Sequence, residues 1–289
     1  MVTEERVAQH YGSVGIAERI LAALRAAQGA EAPVTPDAPI TVDAPITVDA
    51  LAPLDHFHGR GLAATQELAA ILDPQPGQRL LDIGSGIGGP ARWIAAKFGV
   101  HVTGVDLTPE FCAAAEALTR AAGLADRVRI INASALELPV PDGSFDAAYS
   151  QNVIMNIADK PRFYGEAFRA LRPGGVLAIA NVCAGPGGEP YYPQMWAATA
   201  ATSFLATPDD TRRDMLAAGF EIVAFRDTTS DQPGAQPRSG QPPERGARPP
   251  LGIHVLMGEE TVREAQRNSV RNIAEGRIVA IEALLRKPA

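Results

Sequence analysis

Two carboxylates flank a glycine turn in this chain. Asp82 lies near the end of the apolar run Arg79-Leu-Leu-Asp-Ile83, and Gly84-Ser-Gly-Ile-Gly-Gly89 follows directly. A helical pattern then begins with Trp93, Ile94 and Phe98. The order is strand, tight turn, helix. Glycines let backbone approach a ligand closely and take dihedrals that a side chain forbids. Asp82, two residues before the first glycine, can meet an amino group there. A second apolar run, Val100-His-Val-Thr-Gly-Val105, ends in Asp106, placed to take both hydroxyls of a ribose. Gly84, Gly86 and Gly89 also satisfy the G-x-G-x-x-G spacing of a dinucleotide turn, so the glycines alone leave two ligand classes open.

Other residues could act on a second reactant. Asp55-His-Phe-His-Gly-Arg-Gly61 packs His56 and His58 into a dense cluster before a helix at Leu62–Leu72. The His-x-His spacing could fit a metal, yet no nearby Cys or third His completes a site, so none is assigned. His56, His58 and the distant His254 are the candidates for a general base. Ser150-Gln-Asn-Val-Ile-Met-Asn156 follows a strand, which puts Gln151, Asn152 and Asn156 where parallel sheets bind ligands. Asn152 can equally serve as a helix cap. Glu189-Pro-Tyr-Tyr-Pro-Gln-Met-Trp196 concentrates aromatic rings, which suit either an acceptor wall near a cation or plain packing.

The elements that must carry these residues alternate between strand and helix, which predicts a parallel sheet covered on both faces. Strands are expected at Leu80–Ile83, Val100–Val105, Val128–Asn132, Asp146–Ser150, Val176–Asn181 and Phe220–Thr228, with a last one in Gly276–Leu285. Helices are expected at Pro90–Phe98, Glu110–Ala122, Lys160–Leu171, from a Thr207 cap to Leu216, and across Leu251–Asn272. Thr108-Pro109 reads as a cap and first turn, and Arg172-Pro-Gly-Gly175 as a reversing turn. Ahead of the sheet, residues 4 to 28 have helical periodicity, interrupted near Gly12 and Gly15. The hexapeptide Asp-Ala-Pro-Ile-Thr-Val occurs twice in tandem, at 37–42 and 43–48, and reads as a lengthened surface loop without chemistry. Residues 231 to 250 are polar and rich in Pro and Gly, as in a disordered segment.

The glycine motif resembles that of the class I S-adenosylmethionine (SAM) dependent methyltransferases. Their pattern, acid-x-Gly-x-Gly-x-Gly, is matched by Asp82, Gly84, Gly86 and Gly88, and the turn Pro141-Asp-Gly-Ser-Phe-Asp146 resembles a further landmark. The likeness spans roughly residues 56 to 289 and is nearest to small-molecule members carrying the type 11 methyltransferase domain. Sarcosine and dimethylglycine N-methyltransferases, sugar O-methyltransferases and quinone C-methyltransferases are of that type. It implies an α/β fold: a Rossmann-like, mostly parallel seven-stranded sheet, a helical lid and linker over residues 1–75, and a SAM-binding domain over 76–289 with an insertion at 231–275. It also implies SAM contacts from Asp82, Gly84, Ser85, Gly86, Gly88, Asp106, Leu107, Ser134, Ala135 and Gln151, with Asn152 beside the acceptor and Tyr11 on the lid facing the ligand. In the family an acid that binds the adenine amine often stands where this chain has Ser134. An N- or O-acceptor is expected, with a quinone or isoprenoid carbon as the alternative. Outside this class stand an NAD(P)-linked oxidoreductase and a SAM-binding regulator that methylates nothing. No Tyr-x-x-x-Lys pair supports the oxidoreductase of short-chain type, and the chain reads Ser150-Gln-Asn-Val where protein methyltransferases carry a Pro-Pro-Tyr type motif.

Bulk properties are consistent with this. The chain has 289 residues, 46% of them hydrophobic, enough for one sizeable core. A formal net charge of -7 argues against nucleic acid as a partner, because phosphate binding needs a basic face. Cys112 and Cys183 have no paired or metal-binding spacing. The acidic opening, Met-Val-Thr-Glu-Glu, is not a signal peptide, and no run is long enough to span a membrane. A cytoplasmic location, in a bacterium, is expected.

Overall fold

A computed structural model describes residues 2–11, 15–27, 46–56, 60–232, 252 and 257–289. Four helices come first: α1 (Val2–Tyr11), α2 (Ile16–Ala27), α3 (Val48–Asp55) and α4 (Gly61–Leu72). The sheet region then runs β1 (Arg79–Ile83), α5 (Gly89–Phe98), β2 (His101–Asp106), α6 (Pro109–Ala121), β3 (Val128–Asn132), β4 (Phe145–Gln151), α7 (Lys160–Ala170) and β5 (Leu171–Ala184). It closes with α8 (Pro208–Ala217), β6 (Glu221–Asp227), α9 (Glu259–Ala274) and β7 (Ile278–Arg286).

The seven strands lie in the order β3-β2-β1-β4-β5-β7-β6. β1 to β5 pair in parallel, while β7 runs antiparallel to both β5 and β6. This is the Rossmann-like, mostly parallel arrangement expected from the alternating pattern. Side chains of a strand point alternately to opposite faces, and the core obeys this rule. Leu81 and Ile83 pack with Phe163, Tyr164 and Leu177 under α7, whereas Leu80 joins Val102, Ile94 and Leu68 under α4 and α5. A third cluster joins Ile20, Leu24, Leu51 and Leu54 to Leu118 of α6 and to Ile87 in the glycine turn. Burying each such aliphatic side chain contributes about 2 kcal/mol, so α2 and α3 are anchored by apolar contact to the turn itself.

Several expectations change in detail. The periodic stretch at 4–28 does divide in two, as α1 and α2. Arg172-Pro-Gly-Gly175 does not separate α7 from its strand. β5 already starts at Leu171, opposite Phe145, and the four residues bulge before Val176 pairs with Ala147. Gly174 takes φ 74 to allow this. Thr108 makes no side-chain cap, and its amide donates to Asp106. The second hexapeptide copy is not all surface loop either: Ile46 is buried in the third cluster, and the Thr47 hydroxyl caps α3 by accepting from the Ala50 amide. α9 covers Glu259–Ala274, and the expected helix start at Leu251 lies outside the described residues. The first hexapeptide copy and most of the Pro/Gly-rich stretch lie outside the described residues, as do His58, His254 and the Tyr11 side chain.

Candidate functional site

The carboxyl ends of β1, β2, β4 and β5 open into one cavity of ≈ 1600 Å³, roofed by α1 and α2 and closed on the far side by α9 and β7. At its centre is the glycine turn. The amides of Gly84 and Ser85 both donate to the Val105 carbonyl, at 2.8 and 3.0 Å, which ties the turn to the end of β2. Gly84 has φ 85, and a Cβ there would lie 2.2 Å from a Val153 methyl. Gly86 has φ 53 with nothing within 4 Å of a Cβ, so this part of the backbone faces open space. β2 must make room as well: at Gly104 a Cβ would press on Ser85 and Ile130.

Asp106 accepts from the Gly86 amide at 2.8 Å and from the Thr108 amide at 2.9 Å, one to each carboxylate oxygen. Burial raises its affinity for a proton, and these amide bonds oppose that. Asp82, 2% exposed, lies beside Gly104 and Tyr149 in the sheet. The Tyr149 hydroxyl donates to it at 3.0 Å. Burial pushes Asp82 up to about 8; the Tyr149 bond pulls it down, and the charge of Asp106 adds to the rise.

The expected residues do not all have the same place. Asp82, Gly84, Ser85, Gly86, Asp106, Leu107, Ala135, Gln151, Asn152 and His56 line the cavity. Gly88 lies behind it, as the left-handed start of α5, where a Cβ would meet the Arg92 guanidinium at 2.9 Å. Ser134 is also set back, and its hydroxyl bonds to the Glu4 carboxylate. Asn152 is left-handed, φ 57, and its amide donates to the Ala180 carbonyl; it caps no helix. Asn156 is a strut, donating to the carbonyls of Trp196 and Thr202 at 2.9 and 2.8 Å. Trp196 reaches the cavity, but Tyr191 lies under the guanidinium groups of Arg271 and Arg277, 3.7 and 4.2 Å from its ring, and is part of the wall's packing.

A buried chain of polar groups connects α4 to β4. His56 Nδ1 lies 2.9 Å from Thr65 Oγ1, and the Thr65 hydroxyl donates to Gln151 Oε1 at 3.2 Å. With the threonine proton committed to Gln151, His56 is the donor in the first bond. Gln151 Nε2 then has no partner among the described residues, nor has Asn181 Oδ1, which lines the same cavity. Buried polar atoms left in this way can take a bond from water or from a bound ligand. Burial, with the positive charge of Arg92, lowers His56 to about 4, so its ring is neutral at physiological pH.

Sequence reasoning passed over the base of the site. Arg92, fully buried, donates to both carboxylate oxygens of Asp55, at 2.8 and 3.3 Å, and to Ala115 and Thr119 at 3.2 Å. A Cβ on Gly89 would strike the Asp55 carbonyl at 2.1 Å, so the end of α3 lies directly on the start of α5. An acid beside the His56 cluster and an arginine on the apolar face of a helix were the available signals. Tyr149 and Thr65 gave none, since one looks like strand core and the other like ordinary helix surface. Among the described residues no group of His, Cys, Asp and Glu could hold a metal ion.

Residues 81–179 match a methyltransferase domain model. The match covers the glycine turn, Asp82, Asp106, the ends of β3 and β4 and the first part of β5. The chain is 40% identical over 126 residues to phosphoethanolamine N-methyltransferase 1 of Arabidopsis thaliana, covering 44% of this chain and 25% of that protein. It is 36% identical over 129 residues to methyltransferase GfsG of Streptomyces halstedii, 45% of this chain and 46% of that one. The chain thus matches a quarter to a half of these relatives' lengths. In overall shape it is similar to a geranyl diphosphate methyltransferase solved with GPP and sinefungin, with a TM-score of 0.68 and 18% identity over 99% of this chain and all of that one. That likeness extends the fold beyond the matched domain.

Proposed function

We propose that this chain is an enzyme that transfers the methyl group of SAM to a small-molecule acceptor. The observation that carries the reading is a single cavity joining Asp82, the glycine turn and Asp106 to an apolar chamber. Met155, Val182, Trp196, Val270, Ile273 and Ile278 line that chamber. The buried carboxyl of Asp82 suits the cofactor's ammonium, the open backbone at Gly86 its close approach, and Asp106 its ribose. When bound, SAM supplies a methyl on a cationic sulfur whose departure needs no acid. The protein's own work is to hold the acceptor in line and keep water out.

The polar chain at Gln151 bears on the acceptor. His56, neutral and already donating to Thr65, is a weak base, too weak to ionise an aliphatic hydroxyl. An amine in its free-base form needs no such help, and Gln151 Nε2 and Asn181 Oδ1 can orient one. This favours an N-acceptor with an apolar body, with Asn152 at the chamber mouth. The helices within residues 1–75 act here as lid and linker, and 76–289 as the SAM-binding domain with its insertion at 231–275. No helix among the described residues is long and apolar enough to cross a membrane. The acidic charge supports a small-molecule rather than a nucleic-acid partner, and the reading places the enzyme in the cytoplasm of a bacterium.

The test is calorimetric titration with SAM, S-adenosylhomocysteine (SAH) and NAD, followed by mass spectrometry of amine-containing extracts incubated with methyl-labelled SAM. SAH binding, no NAD binding and a labelled amine are expected. Binding of NAD in place of SAH overturns the proposal. SAH binding with no labelled product of any kind leaves a SAM-binding regulator.

A further inference from the structure

We infer that Tyr149 is the positioning residue of Asp82: its phenol holds one carboxylate oxygen and so leaves the other to the ammonium of the cofactor. The inference rests on the SAM reading above. The two acids of the site are held in different ways. Asp106 receives main-chain amides on both oxygens, from Gly86 and Thr108, so the turn itself sets its angle. Asp82 lies between Gly104 of β2 and Tyr149 of β4. Among the described residues its carboxylate has one hydrogen-bond partner, the Tyr149 hydroxyl, which takes Oδ2 at 3.0 Å. Oδ1 is left to the cavity that Asp82 lines.

The surroundings of Tyr149 suit this task. It is fully buried, in the cluster of Leu80, Val102, Ile94 and Ala178 beneath α4 and α5. A phenol has a single proton to give. Burial, and then the charge of Asp82, raise the proton affinity of Tyr149 well above its ordinary value, so that donor is never lost at a working pH. A donor fixed by core packing sets the carboxylate before any ligand arrives.

The same bond decides where the acid keeps its own proton. With Oδ2 taken by the phenol, a protonated Asp82 carries its proton on Oδ1, in the cavity. A ligand ammonium must displace that proton to solvent, so affinity rises with pH. Burial raises the proton affinity of Asp82, the Tyr149 bond lowers it, and the charge of Asp106 adds to the rise. The remaining groups on that side offer no second switch: Asp55 and Arg92 neutralise each other, and His56 is uncharged at neutral pH.

Calorimetry across a pH series tests this, with SAH and with 5′-methylthioadenosine, which keeps the base, ribose and sulfur but lacks the amino-acid end. Tyr149→Phe keeps the ring and removes the donor. It is expected to weaken SAH binding about tenfold at neutral pH, and to displace the rise in SAH affinity toward higher pH. Binding of 5′-methylthioadenosine is expected to stay as in the wild-type chain. Beside Asp82→Asn, Tyr149→Phe is expected to cost little more, because the two residues act as one unit. A Tyr149→Phe variant with wild-type SAH affinity and pH profile overturns the inference. So does one that weakens both ligands equally, or one whose loss persists in full beside Asp82→Asn. A wild-type chain that binds neither ligand overturns the SAM reading and this inference with it.

Discussion

A carboxyl buried without a cation, as Asp82 is, favours its protonated form. With its proton affinity raised to about 8, the folded chain binds more protons than the unfolded one between about pH 4 and pH 8. Linkage then requires stability to fall as pH rises through that window. The ligand-free protein should lose stability over this range in urea titrations, and Asp82→Asn should flatten the slope. Coincident slopes for the two proteins would exclude the effect. The partner of this prediction is affinity: a ligand ammonium pairs with the ionised carboxylate, so SAH should bind more tightly as pH approaches 8. Gly84 illustrates a different constraint at the same scale. Its positive φ and the 2.2 Å approach of Val153 leave no room for any side chain, so the turn is closed to substitution whatever its ligand.

Between elements, the decisive joint is α3 on α5. Asp55 and Arg92 are both buried, and removing one partner strands the other's charge at a cost of about 3–5 kcal/mol. Asp55→Ala should therefore lower the unfolding free energy by about that much in denaturant titration, while an exposed pair such as Arg120 with Glu116 should cost under about 1 kcal/mol. This joint also marks the limit of what could be read in advance. The strands, the glycine turn and the two acids at the ends of β1 and β2 were legible because each is a local pattern of period, glycine and charge. Even the break between α1 and α2 was visible in Gly12 and Gly15. The contacts of Asp55 with Arg92, Tyr149 with Asp82 and Glu4 with Ser134 join residues 37, 67 and 130 positions apart. No local pattern encodes such distances. The Glu4 carboxylate beside Ser134 could be found only once α1 had been placed.

Over the molecule as a whole, the proposed reading would order the chemistry from strand to strand, with the cofactor along the ends of β1 and β2 and the acceptor at β4, β5 and β7. A ligand bound across so many elements should stabilise all of them. At a hundred times its dissociation constant, SAH should add about 2.7 kcal/mol, a rise in Tm on the order of 5–10 °C, readable by thermal shift. Asp106→Ala should cut the binding more than tenfold and forfeit about 1.4 kcal/mol of that gain at the same concentration; an undiminished shift would remove Asp106 from the site. The position of β7 has a kinetic meaning. β6 reaches the sheet only through β7, and residues 228–277 intervene between them. During synthesis β6 must wait, unpaired, until its neighbour emerges, while β5 shows the same open edge to any passing strand. Closing so long a loop is slow. The β7 insertion is therefore the step at which refolding and aggregation compete, and the sheet's last strand sets how safely the whole chain folds.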